Sequence, residues 1–411
     1  MPTAKDIRIV RDLARRVAEI AALPVQEEKR RLWRALNGLR PERPMVMIDQ
    51  VCWNEMNVED ELTLRCEDVE CRNYERQLRR TLYQWKHFPV DMVVEGYVAV
   101  PKAVENSGFG LEIREETAVT DPTSEVVGHH YINQLANEED LEKIKMPEIR
   151  HGAAETERRL AVAHELFDGI LEVRAAGYSL YLSIWDPIAM WMGVEAALYA
   201  LVDRPAFMHR LAARVRDGYL QMLDQLEEQG LLPEPQPVIH CTGGYTDELP
   251  APGYDPAKPR TKDLWMFGLA QMFSTVSPAM FEEYEVQYSS PIFARFGLVY
   301  YGCCDPLDLK MKQVRMLPRV RKVSMSPWVN QERGAAEIGH DYVFSRKPNP
   351  ALVATETFHP EQVRDDLKAT IDICKRHGCA LELILKDIST VRYEPQRLWE
   401  WSRIAMELVN G

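Results

Sequence analysis

The sequence predicts an α/β protein, a (β/α)8 TIM barrel with an N-terminal helical extension and long βα lid loops. Short apolar runs rich in β-formers alternate with longer segments of helical periodicity, and there are eight such runs. Polar residues follow nearly every run. Parallel strands that alternate with helices in an eight-fold series close into a barrel. With 46% hydrophobic and 27% charged residues, the chain has material for one large core and a solvated surface.

The N-terminal segment reads as helical rather than as part of the sheet. Residues 4–40 carry apolar residues at helical spacing, and Leu23 and Pro24 interrupt the pattern, which predicts two helices. The chain is therefore divided into an N-terminal helical extension at 1–43 and the barrel at 44–411.

Eight segments are predicted as barrel strands, and two long connections are predicted as lids over the barrel mouth. The lids are residues 99–150 and the proline-rich residues 231–259, because irregular segments of this length inside a compact domain are commonly functional. The predicted strands are Met45–Asp49, Asp91–Val98, Tyr178–Ile184, a stretch within Leu264–Phe273, Leu298–Tyr301, Lys322–Met325, Tyr342–Ser345 and Leu381–Leu385.

Residues at the carboxyl ends of barrel strands point into the active site, so polar residues there are the candidates. A single Asp after a strand is more often a helix N-cap, but a set drawn from all eight strand ends predicts a polar pocket with aromatic walls. The candidate acid, base or nucleophilic residues are Asp49, Glu95, Asp186, Cys303 and Asp387. The candidate substrate-binding residues are Trp53, Glu55, Trp185, Gln271, Tyr301, Trp328, Arg346, Lys347 and Lys386.

The adjacent pair Cys303 and Cys304 invites two interpretations. A thiolate at a strand end can ligate zinc or act as a nucleophile. The candidates for the further zinc ligands are His240, Cys241, His129, His130, Tyr301 and acids such as Asp49, Glu95 or Asp186. Neighbouring strand residues face opposite sides, however, and no recognised ligand spacing is present, which favours buried free cysteines.

Charge and composition narrow the class of partner. Fifty Lys and Arg stand against 63 Asp and Glu, a formal net charge of −13, so nucleic acid and anionic membrane surfaces are disfavoured. The N-terminus shows no signal-peptide pattern and no long apolar run occurs, so we expect a cytoplasmic protein with reduced cysteines.

The C-terminal third carries a family resemblance. The segment DLWMFGLAQMFSTVSPAMFEEYEVQYSSPIFARFGLVYYGCCDPLD, followed by KVSMSPWVN, YVFSRKPNPA and LELILKDISTVRYEPQRLWEW, resembles the uroporphyrinogen-decarboxylase-like superfamily, and most of all its large uncharacterised bacterial branch. The superfamily includes porphyrinogen decarboxylases and zinc-dependent methyltransferases that exchange methyl groups with corrinoid proteins. The resemblance implies a barrel, a small-molecule substrate, zinc, a corrinoid protein partner and a homodimer.

This chain departs from both branches of that family. The porphyrinogen decarboxylases have an Arg-containing segment after strand 1, whereas MVMIDQVCWNEMNVED is acidic and lacks Arg. The methyltransferases hold zinc with a His-x-Cys pair after strand 5 and a Cys after strand 8. Here Tyr301 stands in the His position, Cys303 matches, and Lys386 and Asp387 replace the last Cys, which puts the zinc in doubt.

The expected function is a methyltransferase that acts on a small methylated substrate, with a corrinoid protein as partner. In this reading Cys303 or Cys304 is the ligand or nucleophile, and tryptophans wall the pocket. The alternative is a cofactor-free decarboxylase or lyase in which Arg346, Lys347 and Lys386 hold a small carboxylate. A non-catalytic binding protein on the same barrel is the third hypothesis.

Overall fold

The structure is a computed structural model that describes residues 2–119, 122–123 and 127–411. Its strands are β1 Met45–Ile48, β2 Tyr97–Pro101, β3 Val104–Asn106, β4 Glu115–Ala118, β5 Gly128–Tyr131, β6 Ile149–His151, β7 Glu172–Ala176, β8 Val238–Ile239, β9 Thr242–Gly243, β10 Trp265–Gly268, β11 Leu298–Tyr301, β12 Val320–Met325, β13 Val343–Arg346 and β14 Ala380–Leu385.

Helices separate most of these strands. The α-helices are α1 Ala4–Ala21, α2 Pro24–Asn37, α3 Val69–His87, α4 Ala153–Phe167, α5 Trp185–Met192, α6 Val194–Asp203, α7 Pro205–Glu228, α8 Pro278–Phe281, α9 Gln287–Phe293, α10 Met311–Val314, α11 Gln331–Ile338, α12 Ala351–Ala354, α13 Pro360–His377 and α14 Gln396–Asn410. A π-helical segment, Glu282–Val286, joins α8 to α9, and short 3-10 helices lie at Trp53–Glu55, Glu138–Lys143, Thr261–Asp263 and Gln271–Thr275.

The centre of the molecule is a six-stranded parallel sheet in the order β1-β14-β13-β12-β11-β10. The first strand of the series therefore pairs with the last, as a barrel requires. All six strands correspond to predicted ones, and β11 has the predicted bounds. Because the strands are parallel, their carboxyl ends lie along one edge, and the residues that follow them are brought to the same side of the sheet.

The second and third predicted strands are wrong in position. The observed strands β2 and β7 pair with each other in parallel, and among the described residues they form a two-stranded sheet separate from the six. Residues 92–95 and 177–183 have no regular structure. The apolar residues of those two segments pack in the core without pairing in a sheet. A run of apolar residues is found in a buried loop as well as in a strand, so the sequence pattern did not separate the two. The sequence predicts a closed barrel of eight strands. Among the described residues the structure has a six-stranded sheet and a separate pair, β2 and β7.

The N-terminal extension forms the two predicted helices. Thr3 and Asp6 make a reciprocal capping box at the start of α1, and Pro24 occupies the first turn of α2, where its missing N–H costs nothing. Helix α1 buries Val10, Leu13 and Val17 in a cluster that also contains residues of α3 and α4. The extension is therefore packed against the first helices of the α/β region.

The two predicted lids contain antiparallel ribbons. Strands β3 and β6, and β4 and β5, pair within residues 99–150, and β8 pairs with β9 within residues 231–259. Residues 120, 121 and 124–126 of the first lid lie outside the described residues. Among the residues that the structure describes, no helix combines the length and apolar character that crossing a bilayer requires.

A buried polar network holds the six-stranded sheet together. Lys322 Nζ on β12 lies 2.7 Å from Glu382 Oε2 on β14, and both side chains are fully buried. Ser345 on β13 donates to Glu382 Oε1 at 2.6 Å, and Thr242 on β9 donates to Glu382 Oε2 at 2.8 Å. Every oxygen of this buried carboxylate is hydrogen-bonded, which is what allows a charge to remain in the interior.

Candidate functional site

Two adjacent thiols mark the carboxyl end of β11. Gly302 ends the strand with φ at +91°, and a Cβ placed there would lie 2.5 Å from Leu307 Cδ1, so only glycine suits this turn. The turn allows Cys303 and Cys304 to approach each other, with 3.6 Å between their Sγ atoms. Cys303 is buried and Cys304 is half-buried. The expectation that only one thiol faces the site assumed a continued strand, whereas the strand ends before both residues.

Cys303 is surrounded by groups that stabilise a thiolate. Its Sγ lies 3.1 Å from Lys386 Nζ and 3.5 Å from His240 Nε2. The hydrogen bond with Cys304 is the largest cause that lowers the pKa of Cys303; burial opposes it, and His240 and the Lys386 charge lower the pKa further. The same sulfur contact raises the pKa of Cys304. The contacts with Lys386 and His240 therefore favour the thiolate on Cys303 over one on Cys304.

His240 reaches the thiolate from a tight turn. Residues His240 and Cys241 are the two-residue connection between β8 and β9, with φ of +34° and +71°. Two-residue hairpins take two left-handed residues and normally use Asn-Gly, so a His-Cys turn carries backbone strain. The His240 ring stacks on Phe267 of β10 with 3.8 Å between the ring centroids. The strained turn and this stack direct Nε2 at Cys303.

Lys386 and Asp387 follow β14 and face the thiol pair together. Lys386 Nζ lies 2.8 Å from Asp387 Oδ2, which is itself 3.5 Å from Cys304 Sγ. Asp387 has a left-handed backbone, with φ of +56°. Burial favours the neutral amine of Lys386, but Cys303 and Asp387 outweigh it and raise the pKa of Lys386. The lysine is therefore a fixed cation between a thiolate and a carboxylate.

The donor set does not fit the zinc site that the family resemblance implies. Among the described residues, no three His, Cys, Asp or Glu side chains form a group that could hold a metal ion. His240, Cys303, Cys304 and Asp387 contact one another in a row, and the Lys386 ammonium touches both Cys303 Sγ and Asp387 Oδ2. A metal ion shared by these donors would meet a positive charge already in place.

Asp186 interacts electrostatically with Cys303. Tyr181 donates to Asp186 Oδ2 at 2.6 Å, and the Asp186 backbone N–H donates to Ser183 Oγ. Burial is the main cause that raises the pKa of Asp186, and the charge of Cys303 adds to it. Asp186 is therefore close enough to sense the thiolate, although it begins helix α5 instead of ending a strand.

A cavity of about 750 Å³ adjoins this cluster. Asp49 after β1 and Asp387 after β14 lie on its wall, together with Trp53. Helix α3 contributes Arg76, Arg79 and Arg80 to the lining of the cavity.

The three arginines of α3 were not among the residues predicted from sequence. Their spacing of i, i+3 and i+4 places them on one face of a helix, and that was the available signal. Arg79 Nε is held 2.8 Å from the buried Glu75, and Arg80 lies 4.9 Å from the centroid of the Trp53 ring. The acidic loop after β1 lacks arginine, as the sequence shows, but the next helix supplies it.

Several predicted site residues have structural partners elsewhere. Glu95 precedes β2 instead of lying within it, and it pairs with Arg30 of α2 at 2.9 Å and with Tyr245. Glu55 is buried and accepts hydrogen bonds from Thr390 Oγ1 and from the backbone of residues 391 and 393. Both carboxylates are thus engaged in holding loops and are not directed at the thiol pair.

The remaining predicted side chains are also outside the cluster. Trp185 is fully buried with its ring centroid 4.6 Å from that of Phe273, and Tyr301 is fully buried and donates to Glu285 Oε1 at 3.1 Å. Trp328 is 71% exposed, and Gln271 is half-buried in a 3-10 helix. Strand residues alternate between two faces, so a position at a strand end does not decide which way its side chain points.

Arg346 and Lys347 are buried within the protein framework. Arg346 Nη1 donates to the Ser326 carbonyl at 2.7 Å. Lys347 Nζ donates to Ser345 Oγ at 2.5 Å, which ties it to the network around Glu382. Burial lowers the pKa of Lys347 to about 8. The sequence predicted that these two cations bind the substrate, but in the structure both are hydrogen-bonded to protein groups.

Comparisons with known proteins find no match in sequence, but they do find similar solved structures. No protein-family model matches the chain, and no curated protein matches it in sequence. Among solved structures, a methyltransferase from Methanosarcina mazei is similar over 92% of this chain and 97% of its own, with 8% sequence identity and a TM-score of 0.47. A likeness at that identity and TM-score does not determine an activity.

Proposed function

We propose that the chain is a methyltransferase in which the Cys303 thiolate takes the methyl group of a small methylated substrate. The observation that carries the proposal is the placement of Cys303 Sγ 3.1 Å from Lys386 Nζ and 3.5 Å from His240 Nε2, at the carboxyl edge of the parallel sheet. A thiolate is the nucleophilic form of cysteine, and adjacent cations keep it ionised at neutral pH.

The chemistry is a pair of displacements at the methyl carbon. In the first, an electron pair of Cys303 Sγ forms the bond to the methyl carbon while the bond from that carbon to the substrate heteroatom breaks and its electrons leave with the substrate. In the second, the nucleophile of an acceptor takes the methyl carbon, and the electrons of the S–C bond return to Cys303. Lys386 stabilises the thiolate both before the first step and as it leaves in the second.

A corrinoid protein is the acceptor that we include in the proposal, because demethylating a thioether needs a strong nucleophile. The zinc of the resembled enzymes is not included, since Lys386 holds the position of the cation. The alternative of a decarboxylase or lyase relies on Arg346, Lys347 and Lys386 as carboxylate ligands. Arg346 and Lys347 are bonded to protein groups, and Lys386 contacts the Cys303 thiol. The geometry therefore supports thiolate chemistry over that alternative.

The experiment is a search for the methylated thiol. Purified protein is incubated with methyl donors that have a quaternary ammonium, a sulfonium or a methyl ether, and peptides are analysed by mass spectrometry. We expect one methyl group on Cys303 with at least one donor class, and none in Cys303→Ser. Turnover of a donor that persists undiminished in Cys303→Ser, or a Cys303 left unmodified by every class, overturns the proposal.

A further inference from the structure

The cavity that Asp387 lines carries both charges, and they come from different elements of the fold. Arg76, Arg79 and Arg80 belong to helix α3. Asp49 and Asp387 follow the neighbouring strands β1 and β14, and Asp387 Oδ2 lies 3.5 Å from Cys304 Sγ. In a chain of net charge −13, three arginines on one helix face concentrate positive potential at one cavity wall.

We propose that this cavity binds a zwitterionic substrate, with a carboxylate or similar anion on the arginines and a methylated onium group on the side of Asp49 and Asp387. Guanidinium groups recognise planar anions through paired N–H donors. A quaternary ammonium or sulfonium group has no N–H or O–H to donate, so carboxylates of opposite charge are what the cavity can offer it.

The orientation also suits the chemistry. Asp387 is the cavity residue that contacts the thiol pair, through Cys304 Sγ, so a substrate bound in this orientation has its onium end on the side of the thiol pair. An onium group leaves as a neutral amine or thioether when its methyl group is displaced, and no proton is required. The Cys303 thiolate becomes a neutral thioether in the same step. The inference rests on the proposed function only for this reaction, because binding itself needs no turnover.

The test measures binding in Cys303→Ser by titration calorimetry with three probes, glycine betaine, choline and propionate. They carry both charges, the cation alone and the anion alone. We expect glycine betaine to bind at least tenfold more tightly than either single-charge probe, which corresponds to about 1.4 kcal/mol. Equal affinity of the three probes, or tighter binding of choline than of glycine betaine, overturns the inference.

Charge variants identify which wall binds which end. Arg76→Gln should weaken the binding of glycine betaine and propionate and leave the binding of choline unchanged. Asp49→Asn should weaken the binding of glycine betaine and choline and leave the binding of propionate unchanged. Arg76 is chosen over Arg79 because Arg79 partners the buried Glu75. The matched controls are Arg8→Gln and Asp203→Asn, both exposed and remote from the cavity lining. Equal effects of a variant and its control overturn the assignment.

The two proposals fail separately. If the probes bind as expected but Cys303 is never methylated, the cavity assignment stands and the methyltransferase function falls. If Cys303 is methylated by a donor without an anionic group and glycine betaine does not bind, the function stands and the zwitterion assignment falls.

Discussion

The ammonium of Lys386 lies 3.1 Å from Sγ of Cys303, although the two residues follow strands that are three positions apart in the sheet. A flat sheet would separate those two backbones by roughly 14 Å, at about 4.8 Å for each strand interval. Side chains of this length meet because the sheet curves. The curvature of the sheet therefore brings the residues that follow β11 and β14 together in one site.

Replacing the lysine should raise the pKa of Cys303. In Lys386→Met the side-chain length is kept and the cation is lost, so we expect the pH midpoint of Cys303 alkylation by iodoacetamide to rise by about one unit and the rate below that midpoint to fall about tenfold. The pH profile of thiolate absorbance checks the cause. Lys375→Met, on the exposed face of α13, is the control. An unchanged pH profile in Lys386→Met would contradict the role assigned to the lysine.

Two substitutions of His240, which lies in the strained turn, should have similar effects on Cys303 reactivity but different effects on the stability of the fold. His240→Asn keeps a residue that tolerates a left-handed backbone, so we expect the fold to be retained and Cys303 alkylation to slow by roughly 2- to 10-fold, the equivalent of one hydrogen bond. His240→Val also loses the bond, and its β-branched side chain in the same conformation should cost about 1–2 kcal/mol more. Denaturant unfolding compares the two variants, and equal stability would argue against strain at this turn.

Removing one partner of the buried ion pair of Lys322 and Glu382 should cost more unfolding free energy than removing one partner of an exposed pair. Removing one partner, as in Lys322→Met, leaves a buried carboxylate and should cost about 3–5 kcal/mol of unfolding free energy. The double variant Lys322→Met with Glu382→Leu should recover part of that loss. Lys368 and Asp372, 2.7 Å apart on an exposed face, provide the control, where Lys368→Met should cost less than about 1 kcal/mol. Similar losses of unfolding free energy in Lys322→Met and Lys368→Met would contradict the prediction.

Glu285 should make the protein less stable as pH rises. Burial raises the pKa of Glu285 to about 8, above its value in the unfolded chain, so the folded state holds the proton more tightly. The stabilisation is complete below the unfolded pKa and is lost as pH rises through 8, at roughly 1 kcal/mol per pH unit. Burial likewise raises the pKa of Asp305 to about 6, so the comparison is made above pH 6.

Glu285→Gln is the variant that isolates this effect. The amide does not titrate, so the unfolding free energy of the wild type relative to that of the variant should fall between pH 6 and pH 8, while groups common to both proteins cancel in the difference. The exposed Glu105→Gln serves as the control and should keep the wild-type slope. The prediction is contradicted by parallel pH profiles for wild type and Glu285→Gln.

The sequence predicted six of the strands because each is a short apolar run between helical segments. It misplaced the strands near residues 97 and 172, where neighbouring apolar residues are buried without pairing. Among the site residues, Asp49, Asp186, Cys303, Lys386 and Asp387 do lie around the thiol pair or its cavity. Glu95 does not, because an error of six residues in the strand start moved it to the opposite end.

What the sequence determined by itself was the α/β class, the alternation of strands and helices, and the edge at which Cys303 and Lys386 would lie. Periodicity and strand direction are local properties, and a few neighbouring residues suffice to set them. Only the tertiary structure decided that His240 reaches Cys303, that the Lys386 ammonium contacts the Cys303 thiol, and that the α3 arginines line one cavity with Asp387. Those contacts join residues tens to hundreds of positions apart, and they depend on sheet curvature and helix packing that no local pattern encodes.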